Sequence, residues 1–252
     1  MNTTDIAGYP ALFVVERVLT TVYLAAGFGI LHVFQNGQFQ YVPPFLYDLR
    51  AMFCSAKQSL LLSVGLFLNT DCSRSWLAGA SLLVYSVHVS ACMPPLSIYD
   101  PEPRRGLWYR RAVLLVNELI FVSQMIILYA SPVNNWNLLA FFQVGIGFSL
   151  FWLSFFERII FDYIISYPEL PPLGTIPTNV LNSITAPDLL SRILQWWGFA
   201  LLAGNWSAYG YAYLVTCFCI ANACTRHKDL QNRDPALIGN RAALLPIFRV
   251  QN

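Results

Sequence analysis

Few side chains in this 252-residue sequence could do polar chemistry: 13 Asp and Glu, 15 Lys and Arg, and 3 His. The densest group is Asp100-Pro101-Glu102-Pro103-Arg104-Arg105, followed closely by Trp108-Tyr109-Arg110-Arg111. Guanidinium forks bind phosphate, and Trp and Tyr rings settle at the head-group plane. Arg104, Arg105, Trp108, Tyr109, Arg110 and Arg111 are therefore a candidate site for anionic lipid or an acidic partner. A plain topological anchor would carry the same residues. Other ionisable residues lie inside apolar runs: Glu16/Arg17, Lys57, Glu118 (with Asn117 and Gln124), Glu157/Arg158 and Arg192. Such residues mark functional sites by default. Glu157/Arg158 sits at the end of its run, where pairing or snorkelling suffices.

Metal and thiol chemistry find no foothold. A zinc site needs clustered Cys or His, whereas His32, His88 and His227 are far apart. Cys54, Cys72, Cys92, Cys217, Cys219 and Cys224 form no CxxC pair. They read as small buried hydrophobes, so no metal is expected. Gly27-Phe28-Gly29 and Gly145-Ile146-Gly147 read as points of close helix approach, not as nucleotide loops. The sequons Asn2-Thr3-Thr4 and Asn205-Trp206-Ser207 are expected to go unused.

The elements that must position these residues follow from composition. Hydrophobic residues make up 56% of the chain, charged residues 11%, and mean hydropathy is +0.52. A soluble domain carries about 25% charge, so a water-soluble enzyme is excluded. So is intrinsic disorder, since apolar surface is abundant. A net charge of +2 is too small to suggest a nucleic-acid binder. The start, MNTTDIAGYP, has no basic n-region, so neither a cleaved signal peptide nor an Arg-rich presequence is expected.

A membrane-crossing helix needs roughly 20 mostly apolar residues. Seven stretches qualify: 11–34, 51–69, 76–96, 112–130, 136–158, 184–203 and 208–224. The sixth opens with Thr185-Ala186-Pro187-Asp188, which reads as a Thr cap, a first-turn proline and an acid at the positive dipole end. The loops on one side hold a single basic residue, Arg74. Those on the other side hold ten: Arg50, Arg104, Arg105, Arg110, Arg111, Arg226, Lys228, Arg233, Arg241 and Arg249. By the positive-inside rule the N-terminus lies outside and the C-terminus in the cytosol or matrix.

Residues 174–200, GTIPTNVLNSITAPDLLSRILQWWGFA, resemble the signature of the steroid 5α-reductase family, which includes trans-2-enoyl-CoA reductases. Ile176-Pro177 matches the family's I-P-x-G-G-L-F. Trp196, Gly198, Phe199 and Ala200 match its E-I-x-E-W-x-G-Y/F-A. Asp162-Tyr163-Ile164-Ile165 resembles S-D-Y-I-L, and Asn240 to Phe248 resembles x-R-K-A-L-I-P-F-I-F. The likeness covers about 132–248. It implies an all-α integral membrane protein, a seven-transmembrane helix bundle of steroid 5α-reductase type, forming one membrane domain over 1–252.

The resemblance also implies NADPH bound by polar residues of this half, with a motif glutamate orienting substrate and cofactor. This sequence departs at those positions. The two glutamates are Arg192 and Gln195, and the family asparagine before Asp162 is Arg158. The stretch after Asp162, YIISYPELPP, lacks the family's arginines. Thr178 and Asn179 replace the paired glycines. Of the family's tail motif only His227 is retained, and Tyr85 and His88 are the nearest counterparts of its Gln-Glu pair and tyrosine. Arg cannot accept the bonds a carboxylate accepts, and phosphate is hard to hold without basic side chains. The expectation is a degenerate, non-enzymatic subunit of a multi-subunit membrane complex, without cofactor, in contact with anionic lipids and other membrane subunits. A respiratory complex of the mitochondrial inner membrane is favoured, with the endoplasmic reticulum as the alternative home. The alternative function is a divergent NADPH-dependent reductase of a lipid or enoyl-CoA double bond.

Overall fold

The computed structural model describes residues 10–38, 74–92, 137–166, 184–233 and 241–244. These form five helices in chain order: α1 Pro10–Gln35, α2 Arg74–Cys92, α3 Leu138–Ser166, α4 Pro187–Ala203 and α5 Trp206–Arg233. No β-strand occurs among the described residues beyond one isolated bridge. Expected spans 11–34, 76–96 and 136–158 correspond to α1, α2 and α3, and the last two to α4 and α5. Spans 51–69 and 112–130 lie outside the described residues, as do the loop residues Arg104 to Arg111.

The chain divides into two compact units. The first, residues 1–14 and 42–135, contains α2, which buries Ala78, Ser81, Leu82 and Tyr85 at helical spacing. The His88 side chain lies outside the described residues. The second unit, residues 15–41 and 136–252, contains most of α1 and all of α3, α4 and α5.

Helix boundaries have local causes. Pro10 opens α1, where its missing N–H costs nothing. The helix ends in a Schellman turn: Gly37 takes φ 69°, its N–H reaches Phe34 O at 3.0 Å, and the Gln38 N–H reaches Val33 O at 3.1 Å. Asn137 caps α3, its Oδ1 accepting the Ala140 N–H at 2.7 Å. At 29 residues, α3 is about 43 Å long, longer than the stretch read from hydropathy. Asp162 therefore falls within the helix rather than after it. Pro187 and Asp188 open α4 as expected, but the N-cap is Ala186, with no side-chain bond. Thr185 does not cap, because its hydroxyl is engaged elsewhere. Gly204, at φ 68°, closes α4 by donating to Ala200 O at 2.8 Å.

Within the second unit the helix directions follow from paired contacts. On α3 and α4, a Cβ at Gly147 would lie 2.8 Å from Leu201 Cβ, and one at Gly198 only 2.5 Å from Phe151 N. With Glu157 bonded to Ser191, α3 and α4 run antiparallel. On α1 and α5, Glu16 meets Trp206, Gly210 meets Thr20, and Gly27 meets Tyr213 and Cys217. These two helices run parallel. Of the glycines read as close-approach points, Gly27 and Gly147 fill that role, while Gly29 and Gly145 face open space.

Among the described residues, two helices are long and apolar enough to cross a membrane, over Phe13–Gln35 and Leu138–Glu157. Their outer faces are apolar: Val14, Val18, Val22 and Phe28 on α1, and Leu138, Leu139, Phe141, Phe142, Ile146, Leu153 and Phe156 on α3. Soluble monomers rarely expose apolar surface on this scale, and lipid is the medium that suits it. The more polar α4 and α5 are the inner helices, rich in buried residues.

Candidate functional site

Most of α4 is buried, including the polar Ser191, Arg192 and Gln195. Ser191 donates to Glu157 Oε2 at 2.9 Å across the α3 interface. A second side of α4 packs on α5: Leu189 and Ile193 join Cys219, Ala223, Ala186 and Leu244 in one apolar cluster. Trp197 Nε1 donates to Thr216 Oγ1 at 2.9 Å. A third side carries Arg192, Trp196 and Phe199, spaced four and three residues apart. Trp196 meets Phe199 at 5.6 Å and Tyr211 of α5 at 5.2 Å, and Tyr211 meets Tyr23 of α1 at 5.4 Å, all edge to face. Such aromatic contacts each contribute about 0.5–1.5 kcal/mol beyond burial. They tie three helices around the segment that carries Arg192 and Gln195.

Arg192 is 7% exposed and Gln195 0%. Neither amide atom of Gln195 has a hydrogen-bond partner among the described residues, nor does the indole Nε1 of Trp152. A buried polar group left unpaired costs about 1–3 kcal/mol. The described carboxylates nearest these helices have structural partners. Glu157 accepts from Ser191, Asp188 accepts from Arg226 at 3.1 Å, and buried Glu16 accepts the Trp206 N–H at 2.7 Å. Glu16 and Asp188 each lie at the positive end of a helix.

Arg158 and Asp162 fall four residues apart on α3; their side chains lie outside the described residues. His227 sits on α5 beyond its apolar stretch, 6% exposed, with Nδ1 2.8 Å from Thr185 Oγ1. Burial lowers its pKa below the ordinary histidine value. Thr185 also donates its backbone N–H to Ala242 O at 2.8 Å, and Ala186 donates to Ala243 O at 3.2 Å. Ile184 and Ala242 form a parallel bridge. The tail residues of the resemblance thus clasp the head of α4. The structure brings together Arg192 and Gln195 on one largely buried helix and places His227 beside its start. Thr178, Asn179 and most of YIISYPELPP lie outside the described residues.

Sequence reasoning missed three of these partnerships. Glu16 is legible as an ionisable residue in an apolar run, but its partner is 190 residues away. Thr185 has the sequence position of a cap but acts as a clasp. The Asn205-Trp206-Ser207 sequon is buried at its asparagine, whose Oδ1 accepts from Ala208 N–H at 2.8 Å and Ser207 Oγ at 3.0 Å. Asn205 is the N-cap of α5. Among the described residues no group of three His, Cys, Asp or Glu could hold a metal ion.

Comparison with known proteins adds a family. The sequence model described as 3-oxo-5-alpha-steroid 4-dehydrogenase matches residues 115–249, just over half the chain. No curated protein matches the sequence.

Proposed function

Because the chain belongs to the 3-oxo-5-alpha-steroid 4-dehydrogenase family, we propose that it keeps the family fold without hydride-transfer chemistry and serves as a structural subunit of a membrane complex. The observation that carries this reading is Arg192. It stands where the family resemblance has a glutamate, on an enclosed face of α4, beside a fully buried Gln195 in place of the second glutamate. A guanidinium stays protonated and only donates. It cannot do what a carboxylate does in orienting a substrate hydroxyl or a nicotinamide amide. The described acids that might substitute are engaged with Ser191, Arg226 and Trp206. This donor set does not fit NADPH as the family holds it, and we derive no step through that cofactor.

The wider reading is a seven-span bundle with an outer N-terminus and an inner C-terminus. The parallel course of α1 and α5, the first and last expected spans, supports it, as does the antiparallel α3–α4 pair. The basic loop Arg104 to Arg111 would then sit at the inner surface, against anionic lipid or an acidic neighbouring subunit. A respiratory complex of the mitochondrial inner membrane is the favoured setting, and the endoplasmic reticulum the alternative.

Native mass spectrometry of the protein extracted in mild detergent tests the proposal. Stoichiometric membrane partners are the expected result. A monomer that carries NADPH would overturn it and favour the family's reductase chemistry.

A further inference from the structure

Glu16 and Arg17 are neighbours on α1 with opposite placements. Glu16 is buried and turns inward to the Trp206 N–H. Arg17 is exposed, and its guanidinium lies over the Trp206 ring, 5.8 Å from the centroid. Trp206 is exposed as well. It stands at the end of the second unit where α1, α3 and α5 all begin, since Gln143 of α3 donates to the Tyr209 hydroxyl one turn further on. From this geometry we propose that Arg17 and Trp206 hold the phosphate of one membrane phospholipid, with an acyl chain lying along the outer face of α1.

Arg17 falls inside Phe13–Gln35, a stretch apolar enough to cross a membrane, about 6 Å along the helix from Phe13. A charge exposed on such a surface is costly unless an opposite charge or water meets it. Trp rings settle at the head-group plane, so the ring that holds the guanidinium also places it within reach of lipid phosphate. The ring contact draws on charge rather than on N–H donors, and a guanidinium fork suits phosphate oxygens. Below Arg17, α1 presents Val18, Val22 and Phe28, each more than half exposed. A Cβ at Gly29 would meet nothing within 4 Å. From Val18 to Phe28 is about 15 Å, half of a hydrocarbon core about 30 Å thick and so the depth of one leaflet. A cation at the head of an apolar strip of that length selects a phospholipid over a free phosphate. The site is separate from the basic loop Arg104 to Arg111. It needs the membrane placement of α1 and is independent of the cofactor question.

Native mass spectrometry of the delipidated, detergent-solubilised protein tests this. The probes are dioleoylphosphatidylglycerol and dioleoylglycerol, which share their tails and differ in the phosphate. Wild type should bind the phospholipid more tightly. Arg17→Gln should weaken one equivalent of phospholipid about fivefold, the effect of one cation near the surface, and leave the diacylglycerol unchanged. Arg17→Lys, which keeps the charge, should retain most of the affinity. Unchanged phospholipid affinity in Arg17→Gln, or equal weakening of both lipids, would overturn the site. Should that variant fold poorly, phosphatidylglycerol with a photoreactive head group decides the matter on wild type. Crosslinks to residues 13–24 or 204–209 are expected, and crosslinks confined to other segments would overturn the proposal.

Discussion

Glu16 Oε1 accepts the backbone N–H of Trp206 at 2.7 Å, joining the first described helix to the first residue of the last. The helix start has orphan donors and a positive dipole end, and a buried carboxylate answers both. The Arg17 guanidinium lies over the Trp206 ring at 5.8 Å, adding a second tie at the same place. Glu16→Ala should therefore destabilise the protein by roughly 1–3 kcal/mol, because the Trp206 N–H loses its charged acceptor. Glu16→Gln, which keeps an acceptor oxygen, should cost less. Thermal unfolding in detergent checks the order. An alanine variant as stable as wild type would show that this contact holds nothing together.

The α3–α4 seam makes a sharper steric prediction. A methyl at Gly198 meets backbone atoms of Phe151 at 2.5 Å and 2.9 Å, which cannot step aside. Gly198→Ala should cost about 1–3 kcal/mol by overpacking, and Gly147→Ala should behave alike. Gly145→Ala, with nothing within 4 Å, should be near neutral. Equal effects at 145 and 147 would contradict the packing.

Those glycines also show what a sequence can and cannot reveal. The sequence pointed to tight packing at Gly145-Ile146-Gly147, but not to which glycine turns inward, since that depends on helix rotation. Long apolar runs located α1, α2 and α3 to within a few residues at most ends. Hydropathy stopped α5 at 224, although the polar Thr225 to Arg233 continues the helix, because hydropathy reports medium rather than backbone geometry. Glu16, Thr185 and Asp188 were visible as residues, whereas their partners Trp206, Ala242 and Arg226 were not. Nothing local encodes a contact across 38 to 190 positions. The family motif marked Arg192 and Gln195 as departures, but neither their burial nor the aromatic chain Tyr23–Tyr211–Trp196 was legible in it.

Stability should depend on pH through His227. Its folded pKa is lowered, so below the ordinary value of about 6.5 the unfolded chain binds more protons than the folded one. Stability is then unaffected by this group above about pH 6.5 and falls as pH drops through the window between the two values. Chemical denaturation across that window should show the decline in wild type and a shallower one in His227→Gln. A wild-type curve that rises on acidification would contradict the burial of a neutral imidazole.

The basic loop offers a test of the surface proposed to meet lipid. Each guanidinium near an anionic surface contributes about 1 kcal/mol, and Asp100 and Glu102 subtract from the sum. Replacing Arg104, Arg105, Arg110 and Arg111 together with Gln should strip co-purifying anionic lipid or an acidic neighbour, while membrane insertion survives. Lipidomics of the purified variant reads this directly. Unchanged retention would remove the loop from the binding surface.

The central claim is that Arg192 and Gln195 mark a family fold without its cofactor chemistry. Calorimetric titration of the purified, detergent-solubilised protein with NADPH tests it most directly. The account predicts no saturable heat at cofactor concentrations up to about 1 mM, a weaker interaction than −4 kcal/mol. Saturable binding near one equivalent with micromolar affinity would contradict it.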